Sequence, residues 1–345
     1  MKILFNLICC LIICGLFAST TPAKNTGLLG EAISEYNKKK YYSAISLLTN
    51  LISKDKSLIK AYLIRGHCYA EIGQLAKSLN DYVEVSEKNP NNYESYFYSG
   101  LIYYELNQYE NAIHSYDKAI KVNNEYLSAI INRGWAFLSS SQHEKAEIDF
   151  QNAVRLSPNN SNALSGLAQS HYLRNDCSKA LSVYNLAINH NGNDFKLFYL
   201  RGEIYLKLKE YEKAIVDFSK SIEINPYFEK TFLGRGFSYG EIGASEQAII
   251  DFTRAIELNP NNVEAYNNRA YTYYQTDKFI ESLNDYNTAI KIDPSNPELF
   301  FGRSELFFKM GNLDKSLQDV EEATTIAPGN SDYSDWKLFL LKKTD

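Results

Sequence analysis

FKLFYLRGEIYLKLKEYEKAIVDFSKSIEINPYF, residues 195–228, carries two stretches of helical periodicity on either side of a short polar break. Phe198, Leu200, Ile204, Tyr205 and Leu208 recur at the spacing of one helix face, and Tyr211, Ala214, Ile215, Phe218 and Ile222 at that of a second. Pro226 ends the second helix because it brings no amide donor. A hairpin this short cannot bury its own apolar faces. The same 34-residue pattern, however, recurs nine times over residues 25–330 without insertion or deletion, starting at Asn25, Ile59, Tyr93, Leu127, Ser161, Phe195, Glu229, Val263 and Pro297. A strict period of this length predicts a stacked all-α array in which each unit packs only on its neighbours.

Residue sizes along the period support close helix packing. Position 8 is Gly66, Gly100, Gly134, Gly202 and Gly236, and Ala or Ser in the other repeats; position 20 is Ala or Ser throughout. Large rings complement them at position 11 (Tyr69, Tyr103, Phe137, Tyr205) and position 24 (Tyr82, Tyr116, Phe150, Tyr184, Phe218). Many of the 27 tyrosines are thereby explained as packing residues rather than as a cofactor box. Position 7 is arginine in six repeats (Arg65, Arg133, Arg201, Arg235, Arg269, Arg303). The same six carry aspartate 16 residues later (Asp81, Asp149, Asp217, Asp251, Asp285, Asp319), and the other three lack both. Co-occurrence predicts an ion pair between the two helices of a repeat; an arginine ladder for an acidic ligand is the alternative reading.

Gly/Ala at position 8, Tyr/Phe at 11, Ala at 20, Tyr/Phe at 24, Ala at 27 and Pro at 32 resemble the tetratricopeptide repeat. The last position holds Pro90, Pro158, Pro226, Pro260, Pro294 and Pro328. The resemblance implies a right-handed α-solenoid of nine helix-turn-helix units with a concave groove lined by the first helices. Departures fall in the first repeat (Glu31, Glu35, Lys56) and the fifth (His171, Gly192). Residues 331–345 start in register for a tenth first helix, with Tyr333, Trp336, Leu338, Leu340 and Leu341, and are expected to cap the array.

Residues 1–23 are of another kind: Met1-Lys2, an apolar run from Ile3 to Ala18, then small residues offering a cleavage pair at Thr21/Ala23 or Ala18/Thr20. This is the layout of a secretory signal peptide, and the run is shorter than the roughly 20 residues of a membrane-spanning helix. The expected destination is the periplasm, cell surface, exterior or secretory lumen, with no membrane insertion after cleavage; an uncleaved anchor is the alternative. Ile13 before Cys14 disfavours a lipoprotein. Cys68 and Cys177, three repeats apart, lie too far from one another for a disulfide. Asn159-Asn160-Ser161 is a glycosylation sequon in an inter-repeat loop.

Net charge is −5, without a basic run, which argues against nucleic acid as a partner. His67, His114, His143, His171 and His190 occupy five different repeat positions, so no metal-ligand spacing arises, and no phosphate loop or nucleophile elbow is present. No cofactor and no catalysis are expected. What remains is the groove, where the resemblance places positions 2, 5, 9 and 12 of each first helix. Its candidate anchors for a protein or peptide partner are Phe97, Leu101, Tyr104, Ile131, Trp135, Leu138 and Tyr172, then Phe237, Tyr271, Tyr274, Phe301 and Phe308. Burial of these side chains by neighbouring helices is the alternative. The family's Lys/Asn clamp for a carboxylate tail (positions 5 and 9) is absent, as is the position-6 asparagine ladder, represented only by Asn132 and Asn268. The expected function is an exported, non-catalytic scaffold for chaperoning or assembly, or else the targeting subunit of a separate enzyme.

Overall fold

The computed structural model describes residues 23–344, and the expected α-solenoid is what it shows: among the described residues there are nineteen helices and no strand. The leader segment lies outside the described residues. First helices of the nine hairpins are α1 (Ala23–Asn37), α3 (Ile59–Glu71), α5 (Tyr93–Glu105), α7 (Leu127–Ser139), α9 (Ser161–Leu173), α11 (Phe195–Lys207), α13 (Glu229–Glu241), α15 (Val263–Gln275) and α17 (Pro297–Lys309). Second helices are α2 (Tyr41–Lys54), α4 (Leu75–Lys88), α6 (Tyr109–Val122), α8 (His143–Leu156), α10 (Cys177–His190), α12 (Tyr211–Ile224), α14 (Ser245–Leu258), α16 (Phe279–Ile292) and α18 (Leu313–Ile326). A nineteenth, α19 (Ser331–Thr344), packs on α18.

Two compact units divide the chain, one up to Val183 and one from Tyr184 on. Within the first, α1 touches α3, α5 touches α7 and α7 touches α9; within the second, α11 touches α13, α13 touches α15 and α15 touches α17. In the second unit the first helices from α11 to α17 therefore lie side by side, and in the first unit α1 lies beside α3, and α5, α7 and α9 lie side by side.

Every hairpin turns on one left-handed residue at position 15. These are Lys39, Gly73, Asn107, Ser141, Asn175, Lys209, Gly243, Asp277 and Gly311, with φ between 57° and 78°. In the third repeat Gln108 N–H donates to the Tyr103 carbonyl (2.8 Å) and Asn107 N–H to that of Tyr104 (3.0 Å), the paired bonds of a Schellman ending. Side chains of Asn92, Asn160, Asp194, Asn262 and Asn296 cap the first helices that follow them.

The core alternates small and large residues. A Cβ on Gly202 would lie 2.7 Å from the Phe218 ring, and one on Gly234 of the next repeat would lie 2.7 Å from that same ring. Phe218 is thus clamped between two glycines, one from its own hairpin and one from its neighbour. Phe150 sits likewise between Gly134 and Gly166. Closely packed interiors of this type tolerate no added volume without displacement.

All six Arg–Asp pairs form. In each, Nε and Nη2 donate to the two carboxylate oxygens of the aspartate of the same hairpin at 2.6–2.9 Å, a bidentate geometry. The remaining Nη1 reaches back one repeat, to position 25 of the preceding second helix. Its acceptors are Thr49, Asp117, Asn185, Ser219, Thr253 and Asn287, at 2.6–3.1 Å. Each arginine therefore joins three helices. Where it is missing, other chemistry serves. Ser99 and Ser115 return their hydroxyls to the carbonyls of Ser95 and Asn111 in their own helices. Arg174 of the fifth repeat instead pairs with Glu144 and Glu147 of the fourth.

Candidate partner-binding surface

Side-by-side first helices project positions 9 and 12 from their shared face, and neighbouring side chains decide which of them reach solvent. In the first unit three of the seven candidates do not, two of them at position 5. Phe97 is wholly buried, its ring 5.4 Å from Tyr98, 5.9 Å from Tyr116 and 5.1 Å from Tyr126. Leu101 and Ile131 are also buried. These three are core residues, a correction to their reading as surface anchors; over Phe97 it is the aromatic neighbours at positions 6, 24 and 34 that close. Trp135 is half-buried, edge-on to Phe150 at 5.2 Å. Tyr104 is half-buried, with its hydroxyl 3.0 Å from that of Ser139 and its ring against Tyr109. Leu138 and Tyr172 are half-buried as well.

The second unit is more open. Phe237 is 41 % and Tyr271 50 % exposed, large values for rings that no packing rule places at the surface. Tyr271 stacks on Tyr274 at 6.3 Å, and Lys309, paired with Asp277, lies 4.8 Å from the Tyr274 ring. Phe301 and Phe308 are half-buried. Phe301 rests on Tyr333 (4.9 Å), and Phe308 packs on Trp336 (5.3 Å) and Phe339 (5.4 Å), so both are largely occupied in seating α19. Phe339 is itself exposed. It occupies position 9 of α19, the position of Phe237 and Tyr271, and reading that segment only as a cap hides it.

Carboxylates share this face. Glu203 and Glu305 take position 9 in the sixth and ninth repeats. Burial pushes both carboxyls above their ordinary range. For Glu203 the nearby Glu264 adds to the effect, while Lys230 and the Tyr199 hydroxyl oppose it. Among the described residues no group of three His, Cys, Asp or Glu is placed to hold a metal ion, and no helix is long and apolar enough to cross a membrane. Cys68 and Cys177 are not joined in a disulfide.

Stacked helical hairpins of this kind define a repeat scaffold of the protein–protein interaction class. The family model of the tetratricopeptide repeat protein 21 N-terminal ARM repeat matches residues 31–215, and that of the TPR repeat matches residues 241–277 and 271–311. The chain belongs to the tetratricopeptide-repeat family. Proteins of this family typically bind protein or peptide partners and are generally non-catalytic. Among solved structures, a chain of the APC/C hetero-tetramer Cut9–Hcn1 is similar over 87 % of this chain and 59 % of its own length, at TM-score 0.58 and 15 % identity. This chain thus spans less than two thirds of that relative. PilF of Pseudomonas aeruginosa is similar over 62 % of this chain and 98 % of its own (TM-score 0.55, 18 % identity). A tetratricopeptide repeat protein from Parabacteroides merdae is similar over 72 % and 98 % (TM-score 0.55, 19 % identity). At these identities the likeness is one of fold. No curated protein sequence matches significantly.

Proposed function

We propose that this chain is a non-catalytic scaffold that holds a partner polypeptide along the first-helix face of its second unit, in an exported compartment, in a chaperoning or assembly role. The observation that carries the reading is the exposure of Phe237 and Tyr271 at one repeat position on adjacent hairpins. Rings on a rigid scaffold cost little entropy to immobilise and serve as anchors. Export rests on the leader-like composition of residues 1–23.

A photo-crosslinking amino acid at position 271 or 237 in the native host is expected to trap a discrete partner, and Phe237→Ala with Tyr271→Ala in the otherwise unmodified chain to abolish affinity capture of that partner without moving the melting temperature. Trapping at position 135 but not at 271 would put the contact in the first unit and defeat the proposal. Amino-terminal sequencing of the protein from its host tests export independently. A mature start at or near Lys24 supports it, and a retained Met1 in the cytosol refutes it.

A further inference from the structure

α19 follows the register of a first helix. Tyr333, Trp336 and Leu340 face inward, with the Trp336 indole N–H donating to the Ser304 hydroxyl at 2.9 Å. Lys337, at the arginine position, reaches back to Glu321 at position 25 of the ninth repeat, 3.1 Å away. The face turned away from the ninth repeat is where a first helix receives its own second helix. Position 8 there is small in all nine repeats, and in the five that carry glycine a ring of the second helix lies against it. Even a Cβ on Gly66, Gly202 or Gly236 would stand only 2.7–2.8 Å from the opposing ring. In α19 position 8 is Leu338, and it is 56 % exposed. A second helix of the kind used nine times before it cannot pack on a leucine at that place. The outward stripe of α19 therefore needs a different occupant.

The stripe itself indicates which. At 100° per residue, Asp335, Leu338 and Lys342 share the side opposite the buried residues, and all three are exposed. Acid lies one turn before the leucine and base one turn after it. A helix with this arrangement complements itself when run antiparallel, since the midpoint between 335 and 342 falls beside 338. Leu338 then meets its own copy, and each Asp335 meets the Lys342 of the other chain. We infer that the outward face of α19 is a two-fold contact through which two copies of this chain associate, α19 packing antiparallel on α19. Such isologous pairing is the commonest closed symmetry of soluble oligomers. With one helix per side the buried area sits at the low end of specific interfaces, so the association is expected in the micromolar range.

Sedimentation velocity of the mature chain from about 1 to about 100 μM is expected to show a reversible monomer–dimer shift. Leu338→Asp should abolish it without changing the melting temperature, because the side chain is exposed. Asp335→Lys alone sets like charges together and should weaken association about tenfold or more, as should Lys342→Asp alone. Mixing those two variants one to one re-creates both opposite pairs and should restore a heterodimer. A wild type that stays monomeric at about 100 μM overturns the inference. So does association that ignores Leu338→Asp, or a mixture no more associated than either variant alone.

Discussion

Arg133 of α7 grips aspartates from two different repeats. Its Nε and Nη2 bind Asp149 of its own hairpin at 2.7 and 2.6 Å, while Nη1 binds Asp117 of the preceding one at 2.7 Å. The same three-way geometry recurs at five other hairpins with a neutral acceptor in place of Asp117. The arginines are thus committed to the scaffold and are not offered to a ligand.

Removing one arginine leaves its aspartate buried and uncompensated. Arg201→Ala should cost about 3–5 kcal/mol, since Asp217 is almost fully enclosed. Denaturant melts of Arg201→Ala, Asp217→Ala and the double variant should give a coupling energy of at least about 1 kcal/mol. The solvent-facing Arg254–Glu257 pair is the control, with a coupling below about 1 kcal/mol. Additive effects at Arg201 and Asp217 would contradict the pairing.

One substitution should act with opposite sign at two helical glycines. Gly202→Ala forces a methyl into the Phe218 ring and should destabilise by about 1–3 kcal/mol. Gly240, also in a first helix, has open space where its Cβ would be, so Gly240→Ala should stabilise by about 0.4–1 kcal/mol by restricting the unfolded chain. Equal effects in a thermal melt would refute the clamping of Phe218.

Position 15 makes a third case. Ser141 and Lys209 hold φ of 61° and 59°, where a side chain is strained. Ser141→Gly or Lys209→Gly should each raise stability by about 0.5–1 kcal/mol, and Gly73→Ala, at φ 76°, should lower it by about 1 kcal/mol. The readout is the denaturant midpoint; a loss on Ser141→Gly would contradict the turn geometry.

His67 supplies a pH dependence. It is buried against the Tyr98 ring at 4.3 Å and the Tyr82 ring at 5.7 Å, and burial pushes its pKa down from 6.5 to about 4. The folded state then binds fewer protons than the unfolded state between those values. Its contribution is complete above about pH 6.5 and is lost as pH falls towards 4, about 3 kcal/mol in all. His67→Leu should flatten that part of the stability profile relative to wild type; parallel profiles for the two proteins would refute it.

The hairpins were legible because the 34-residue spacing fixes both helices, and the Arg–Asp pairs because they come and go together. The backward bond of each arginine was legible in principle but concealed. Residues 16 before the arginines are Thr49, Asp117, Asn185, Ser219, Thr253 and Asn287, alike only in being acceptors, whereas Val83 stands where Ser99 replaces the arginine. The partner surface was less readable. Position in the period says which way a side chain points, but exposure depends on the sizes of several neighbours. Phe97 disappears under Tyr98, Tyr116 and Tyr126, and Tyr271 has no comparable cover.

The backward bond also means that the repeats, though equal in length, are not exchangeable. A repeat with arginine at position 7 requires an acceptor at position 25 of whichever repeat precedes it. Transplanted behind the second repeat, the fourth would set the Nη1 of Arg133 against Val83 and lose its solvent-facing bond to Asp117, at a cost of up to about 1 kcal/mol. The order of the repeats is therefore encoded in their junctions, and a shuffled chain would keep every hairpin yet lose the seams between them.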